Sequence, residues 1–455
     1  MPQENQLKKL KPTQLVVLAF ASAVAIGTGL LSLPIAVNDG QEETFITSLF
    51  TAVSAVCLTG LTVVDTATHW SHFGKVTLLF LIQLGGLGIV AFATLLGLLI
   101  SGRISLSNRI TTLTESKVLG ASSVPQLLKR IFLIYLVFEI VMAIYLTLRF
   151  YFQYQEPFLN AMGNGIFHSI TAFNNAGFSL YSGHLKIFNS DVFILAPMGL
   201  AVIVGGLGFP VLIEIHEKLW KLNLQSNGKR KPFSLHVKLT LWTSGILFAV
   251  GSIFIGFMEW SNEKTLGALA TFDRLVNAVF ASIMPRSGGF NAVDISSMDP
   301  ATWLGMDLLM FIGGGSGSTA GGIKVTTFAI IFFIIYTEIR GETAVNVGNR
   351  RLPRSIQRQA LTIVSLSVTI IGFATMLLMA TSEFSLDQIL FETVSAFSTV
   401  GLSTGITGEL SGFGQVLLAV LMFTGRLGPL IIASALALRI SHRHFELPKE
   451  RPLIG

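Results

Sequence analysis

The residues LFETVSAFSTVGLSTG, Leu390–Gly405, read as a short apolar helix that stops at Ser398-Thr399-Val400-Gly401-Leu402. A helix needs roughly 20 residues to cross a bilayer, so an apolar run about half that length, ending in a glycine turn, predicts a re-entrant segment. Non-helical backbone at membrane depth has to be enclosed by protein or to face water.

The pattern recurs. Phe50–Leu61 reads FTAVSAVCLTGL, Phe167–Phe178 reads FHSITAFNNAGF, and Phe280–Phe290 reads FASIMPRSGGF, one residue shorter. A second glycine signal follows each: Gly85-Gly86-Leu87-Gly88, Gly205-Gly206-Leu207-Gly208, Gly313-Gly314-Gly315 and Gly425-Arg426-Leu427-Gly428. The offsets from Gly60, Gly177, Gly289 and Gly401 are 25, 28, 24 and 24 residues. One glycine motif means little among 44 glycines, but four ordered pairs at near-constant spacing indicate an internal repeat.

Composition sets the solvent. Of 455 residues 51% are hydrophobic and 12% charged, against about 25% charged in soluble domains, so the chain is an all-α integral membrane protein. The net charge of +6 follows from the placement of basic residues and does not call for nucleic acid. A single cysteine, Cys57, excludes an intrachain disulfide and a cysteine-based metal site; pore lining and helix packing are equally open for it. No A-x-A-like cleavage site follows the N-terminal segment, so a cleaved signal peptide is not expected.

Apolar runs over 15–33, 76–101, 131–148, 192–213, 239–258, 308–336, 360–381 and 416–438 alternate with the four short helices. This gives four tandem helix–pore loop–helix repeats, 1–117, 118–226, 227–345 and 346–455, with eight transmembrane helices and four re-entrant pore helices. Of 31 lysines and arginines, 23 fall in the termini and the loops between repeats, six (Arg286 among them) on the opposite side, and Lys324 and Arg426 within spans. The positive-inside rule makes both termini cytoplasmic and lets the short helices enter from outside. Four like units entering from one side predict a pseudo-fourfold arrangement around one pore per chain.

A cation that sheds water needs oxygens in its place, and backbone carbonyls at the ends of short helices supply them. Glycine allows the backbone angles that aim carbonyls inward and leaves no side chain in the path. Helix C-termini aimed at the axis each add roughly half a negative charge, which favours cations over anions.

The turns Thr59-Gly60, Ala176-Gly177, Gly288-Gly289 and Val400-Gly401, with Asn174-Asn175, Pro285-Arg286-Ser287 and the interruption GGGSGSTAGGIK, resemble the Trk/Ktr/HKT superfamily of potassium transporters. The likeness covers essentially the whole chain and is greatest to the membrane subunits of bacterial Ktr systems. It implies a potassium-binding selectivity filter at Leu58, Thr59, Gly60, Asn175, Ala176, Gly177, Ser287, Gly288, Gly289, Thr399, Val400 and Gly401. Sodium-preferring plant members often carry Ser at the first glycine, so Gly60 implies potassium. None of the turns is a full TVGYG and Arg286 stands beside the third, which implies looser selectivity than in a strict potassium channel.

The resemblance also implies a gate at Gly313, Gly314, Gly315, Ser316, Gly317, Ser318, Thr319, Ala320, Gly321, Gly322 and Lys324 (the loop 313–324), contacted by Arg426. Glycine and serine resist continuous helix, and such a backbone in a membrane lines a wet cavity or packs in protein; a kinked helix of small residues is the alternative. Basic residues inside spans are costly and functional by default, although Lys324 is close enough to the cytoplasm to snorkel. Potassium is the expected cargo, with flux sodium-dependent and no organic cofactor in this chain. The implied partners are a second copy, forming a homodimer, and a cytosolic ring of Rossmann-like nucleotide-binding regulatory subunits. The basic loops also suit anionic membrane lipid.

Weaker readings attach to isolated residues. Glu139, the only acid placed well inside a span, reads as a buried structural carboxylate, and Glu392 as a cap opening the fourth short helix. Asp65 and Asp294 concentrate cations at the mouth or are solvated loop acids, and His442 and His444 belong to an exposed tail. GSTAGGIK, Gly317–Lys324, misses the phosphate-loop motif because Ile323 separates Gly322 from Lys324, and no strand precedes it. Without H-E-x-x-H or paired acids an enzyme is not expected. A secondary transporter of another small solute is the alternative, since such proteins also use repeats and broken helices, though inverted ones are common there and these units all enter from one side.

Overall fold

The first helix of each repeat is the one whose sequence suits a full bilayer crossing. In the computed structural model, which describes residues 12–41, 44–86, 124–219 and 232–428, these are α1 (Pro12–Leu31), α4 (Val124–Gln153), α8 (Leu235–Glu259) and α12 (Arg354–Thr381). Their outward faces are apolar: Val141, Trp242, Phe257 and Phe373 are each more than half exposed, as side chains that meet lipid must be.

The short helices follow as α2 (Phe45–Cys57), α5 (Phe158–Phe173), α9 (Thr271–Ile283) and α13 (Leu386–Ser398). Thr44 caps α2 by accepting from Thr47 N–H at 3.2 Å, and a Ser385–Gln388 capping box starts α13. The leading aromatics Phe50, Phe167, Phe280 and Phe391 are all buried, which is why each copy of the repeat begins on one.

The return helices are α3 (His72–Gly86), α6 (Val192–Leu207) with α7 (Phe209–Leu219), α10 (Pro300–Phe311) with α11 (Val325–Ile339), and α14 (Gly412–Leu427). Each return helix packs on the short helix of the next repeat: α3 on α5, α6 on α9, α10 on α13, and α14 back on α2. The chain is therefore an all-α protein whose four units close a ring around a common axis.

The second glycine signal makes a further packing possible, that of a return helix on the short helix of its own repeat. A Cβ at Gly85 would overlap the Val56 carbonyl oxygen, one at Gly205 that of Phe173, and one at Gly425 that of Phe397. In three repeats, then, the return-helix glycine lets the last carbonyls of a short helix approach to backbone contact. In the third repeat the glycines belong to the loop between α10 and α11.

Two expectations change. The run 192–213 is not one straight span: α6 and α7 are bent by 103°. Neither proline makes the break, since Pro197 lies inside α6 and Pro210 in the first turn of α7, where its missing N–H costs nothing. The break is at Gly208, with φ +91°, where a Cβ would come 2.6 Å from the Ser316 carbonyl oxygen. Arg354 and Arg358, counted from sequence among the basic residues of the loop between the third and fourth repeats, instead begin α12, and before them Asn346–Val347 pairs with Arg350–Arg351 in a two-residue hairpin. Gly88, the basic residues at 103–117 and 229–231, the first eleven residues, and the tail with His442 and His444 lie outside the described residues.

Candidate functional site

All four short helices end in the same unusual backbone. Leu58, Asn175, Ser287 and Thr399 have φ of 58°, 57°, 76° and 48°, and the glycines two residues later, Gly60, Gly177, Gly289 and Gly401, have φ of 86°, 69°, 72° and 93°. Left-handed residues two apart turn intervening carbonyls toward one side, where an ordinary strand would alternate them. A non-glycine residue held there costs roughly 1–3 kcal/mol and persists only when its surroundings enforce it.

The turns meet one another in chain order. A Cβ at Gly60 would stand 2.5 Å from the Ala176 oxygen, and one at Gly177 3.0 Å from the Gly289 Cα. At Gly289 it would overlap the Val400 oxygen, and at Gly401 the Thr59 oxygen. Thus the carbonyls of Thr59, Ala176 and Val400 each face a neighbouring glycine, and any side chain at those glycines would occupy the axis. Gly288 is constrained differently, by Met284 and Val202.

Each turn is braced from behind. Ser54 Oγ accepts from Gly60 N–H at 3.0 Å and donates to the Leu61 carbonyl at 2.8 Å, and Ser395 Oγ accepts from Gly401 N–H at 3.2 Å. With its amide turned so that both of its polar atoms are satisfied, Asn175 donates to the carbonyls of Ala172 and Val202 at 3.2 and 3.1 Å. In the third turn Ser287 Oγ reaches sideways and donates to the Thr399 carbonyl at 2.8 Å.

Between α10 and α11 the chain leaves the helix at Ile312 and returns at Lys324. The neck is closed by Gly313 N–H on the Ile323 carbonyl at 2.8 Å and Val325 N–H on that of Gly314 at 3.0 Å. Gly315 N–H donates to the Gly206 carbonyl at 2.8 Å, and the Gly317 carbonyl accepts from Phe209 N–H at 3.2 Å, so the loop is seated in the α6–α7 bend. Ser316 Oγ lies 3.0 Å from Thr326 Oγ1, and Ser318 Oγ accepts from Ala320 N–H. Gly321 and Gly322 lie against Ser398 and Thr399, at the C-terminal end of the fourth short helix. The buried hydroxyls of Thr59, Thr319, Ser398 and Thr399 have no hydrogen-bond partner. Oxygens without partners in this place suit a cation.

Two buried arginines hold the loop. Arg426 donates to the carbonyls of Thr319 in the loop and Gly85 in the first repeat. Arg286 donates to the Gly313 carbonyl at 3.0 Å and to Ser244, and its guanidinium lies 4.5 Å from the Phe248 ring centroid. Arg286 does stand beside the third turn, but grouping it with the outer-side charges is corrected: it is 4% exposed and reaches Ser244 and the loop. Lys324 Nζ donates to the Ala320 carbonyl at 2.5 Å, so it closes the loop on itself.

The acids fall into place less uniformly. Glu139 accepts from Gln83 and Asn174, a satisfied buried carboxylate as expected. Glu392 does not cap α13, whose first turn lies at Leu386; it is buried midway and accepts from Ser403, Thr404 and Thr407. Glu139 is also not alone inside a helix: Asp307, missed because the span was started one residue later, is buried in α10. Its only signal was the acid itself within an otherwise apolar run. Asp65 caps a single turn by accepting from Ala67 N–H at 2.7 Å. Asp294 pairs with Lys186 at 2.8 Å; burial alone would raise its carboxyl, but Lys186, Ser296 and Ser297 hold it below its usual value. Both acids line a cavity of about 350 Å³ that opens over Gly60, Gly289 and Gly401. Cys57 is fully buried at the end of α2.

Known proteins share this plan. The family described as "TrkH: Cation transport protein" matches residues 4–444. The chain is 36% identical to Ktr system potassium uptake protein D of Bacillus subtilis, over 99% of this chain and 98% of that one. It is 35% identical to Ktr system potassium uptake protein B of Vibrio alginolyticus, over 97% and 94%. The crystal structure of the potassium transporter TrkH from Vibrio parahaemolyticus superimposes with a TM-score of 0.73 at 18% identity, covering 96% of this chain and 87% of the other. Sequence match, fold and the closed ring of four units agree: the chain is a multi-pass membrane protein and belongs to the TrkH cation transport family.

Proposed function

We propose that the chain takes up potassium across the cytoplasmic membrane as the ion-translocating subunit of a Ktr-type system. The observation that carries this reading is the convergence of Gly60, Gly177, Gly289 and Gly401 on one axis with the carbonyls of Thr59, Ala176 and Val400 between them. Such an arrangement replaces a cation's water with backbone oxygen while short-helix C-termini add partial negative charge. The relatives' names, potassium uptake proteins of Ktr systems, support potassium as the cargo.

In this reading the repeats are 1–117, 118–226, 227–345 and 346–455, the twelve turn residues form the filter, and the loop 313–324 is a gate tethered by Arg426. The termini and the loops between repeats are cytoplasmic, where a ring of nucleotide-binding subunits moves the gate. The chain works as a homodimer, its basic loops meet anionic lipid, and sodium stimulates uptake. The test is ion uptake in cells stripped of their own potassium uptake systems, with and without the cytosolic ring and with and without sodium. Net potassium accumulation that needs the chain and rises with the ring and with sodium is expected; failure to move either ion in the presence of the ring would overturn the reading.

A further inference from the structure

In three of the four turns the bracing side chain bonds within its own repeat, and in the third it does not. Ser287 sits at φ +76° with its side chain fully buried. Its hydroxyl donates to the Thr399 carbonyl of the fourth turn at 2.8 Å and accepts from the N–H of Gly321, in the loop, at 3.4 Å. One hydroxyl thus links the loop to a carbonyl of the neighbouring turn. The long arm of this pair is the one to the loop, and the short arm the one to the turn.

Two contacts make the link directional. Gly321 is packed so closely that a Cβ there would overlap Thr399 Oγ1, so the loop cannot move at this point without changing the surroundings of Thr399. Arg286, the residue before Ser287, donates to Gly313 at the start of the same loop. The third turn therefore touches the loop at both ends, once through a guanidinium and once through a hydroxyl.

We propose that Ser287 is a specificity-determining positioning residue: it transmits the position of the glycine-rich loop to the Thr399 carbonyl, so that loop release and ion selectivity are coupled. This rests on the pore reading above. With the loop in place, the Gly321 N–H orients the Ser287 hydroxyl and the hydroxyl fixes the Thr399 carbonyl. When the loop leaves, the hydroxyl is free to rotate and the carbonyl loses its fixed direction.

The test compares potassium-to-sodium uptake ratios for wild type, Ser287→Gly, Arg426→Gln and the double variant, at matched membrane expression. Glycine accepts φ +76° without strain, so Ser287→Gly removes the hydroxyl alone; if it fails to assemble by size exclusion, Ser287→Cys, which keeps the size and weakens the bond, is read instead. Ser287→Gly is expected to lower the ratio on the order of tenfold, the worth of one buried hydrogen bond. Arg426→Gln, which loosens the loop, is expected to lower the ratio only when Ser287 is present. A wild-type ratio in the Ser287 variant, or ratios that multiply in the double variant, would overturn the assignment while leaving the pore intact. A wild-type chain that carries neither ion would instead overturn the pore itself.

Discussion

Glu392 is fully buried and accepts four hydrogen bonds from residues 403–407, the segment that carries the chain outward from the fourth turn. Removing it strands those donors, so Glu392→Ala is expected to cost about 2–4 kcal/mol, read as a lower melting temperature in detergent, with Glu392→Gln in between. An unchanged melting temperature would show that the outer segment holds itself. At the mouth, Lys186 neutralises Asp294. Lys186→Gln is expected to lower the KM for potassium by exposing a carboxylate, and because Asp294 then returns toward its ordinary pKa, that gain is lost at higher pH than the wild-type ion pair would be. Kinetics at pH 7 and pH 4.5 check both halves. The residue types at these positions were legible in the sequence but their directions were not: Glu392 is turned by the segment that follows its own turn, and Arg286 by Ser244 and Gly313 on other elements.

The glycine-rich loop is held as an element, by Arg286 at its start, by Arg426 at its middle and by the α6–α7 bend beneath it. Gly208 makes the bend, and a side chain there would meet the Ser316 carbonyl at φ +91°. Gly208→Ala is therefore expected to unseat the loop and raise uptake in the absence of any cytosolic partner, and Arg426→Gln is expected to do the same; uptake that stays at the wild-type basal level would separate the bend from the loop's position. The loop was legible because six glycines and two serines cannot continue a helix over 313–322. Its seat was not, since the run 192–213 read as one continuous span, and only the contact with Ser316 and Gly317 makes Gly208 the hinge.

The whole molecule closes because each return helix packs on the next short helix, and α14 returns to α2. The repeat was readable from the paired glycines alone, and the contacts of Gly85, Gly205 and Gly425 explain why that spacing had to be kept. The charge pattern gives the ring a sidedness that accessibility can check. In a Cys57→Ala background, cysteine at Ser296 is expected to react with an impermeant reagent from outside, and cysteine at Gly348 only after the cells are opened; the reverse pattern would invert the topology. The central claim is that four glycine turns contribute together to one cation path. The most direct measurement is the potassium-to-sodium uptake ratio for Gly60→Ser, Gly177→Ser, Gly289→Ser and Gly401→Ser, each at matched membrane expression. The account predicts that every one of the four lowers the ratio or abolishes uptake; a variant that keeps the wild-type rate and ratio would remove its turn from the path and contradict the fourfold site.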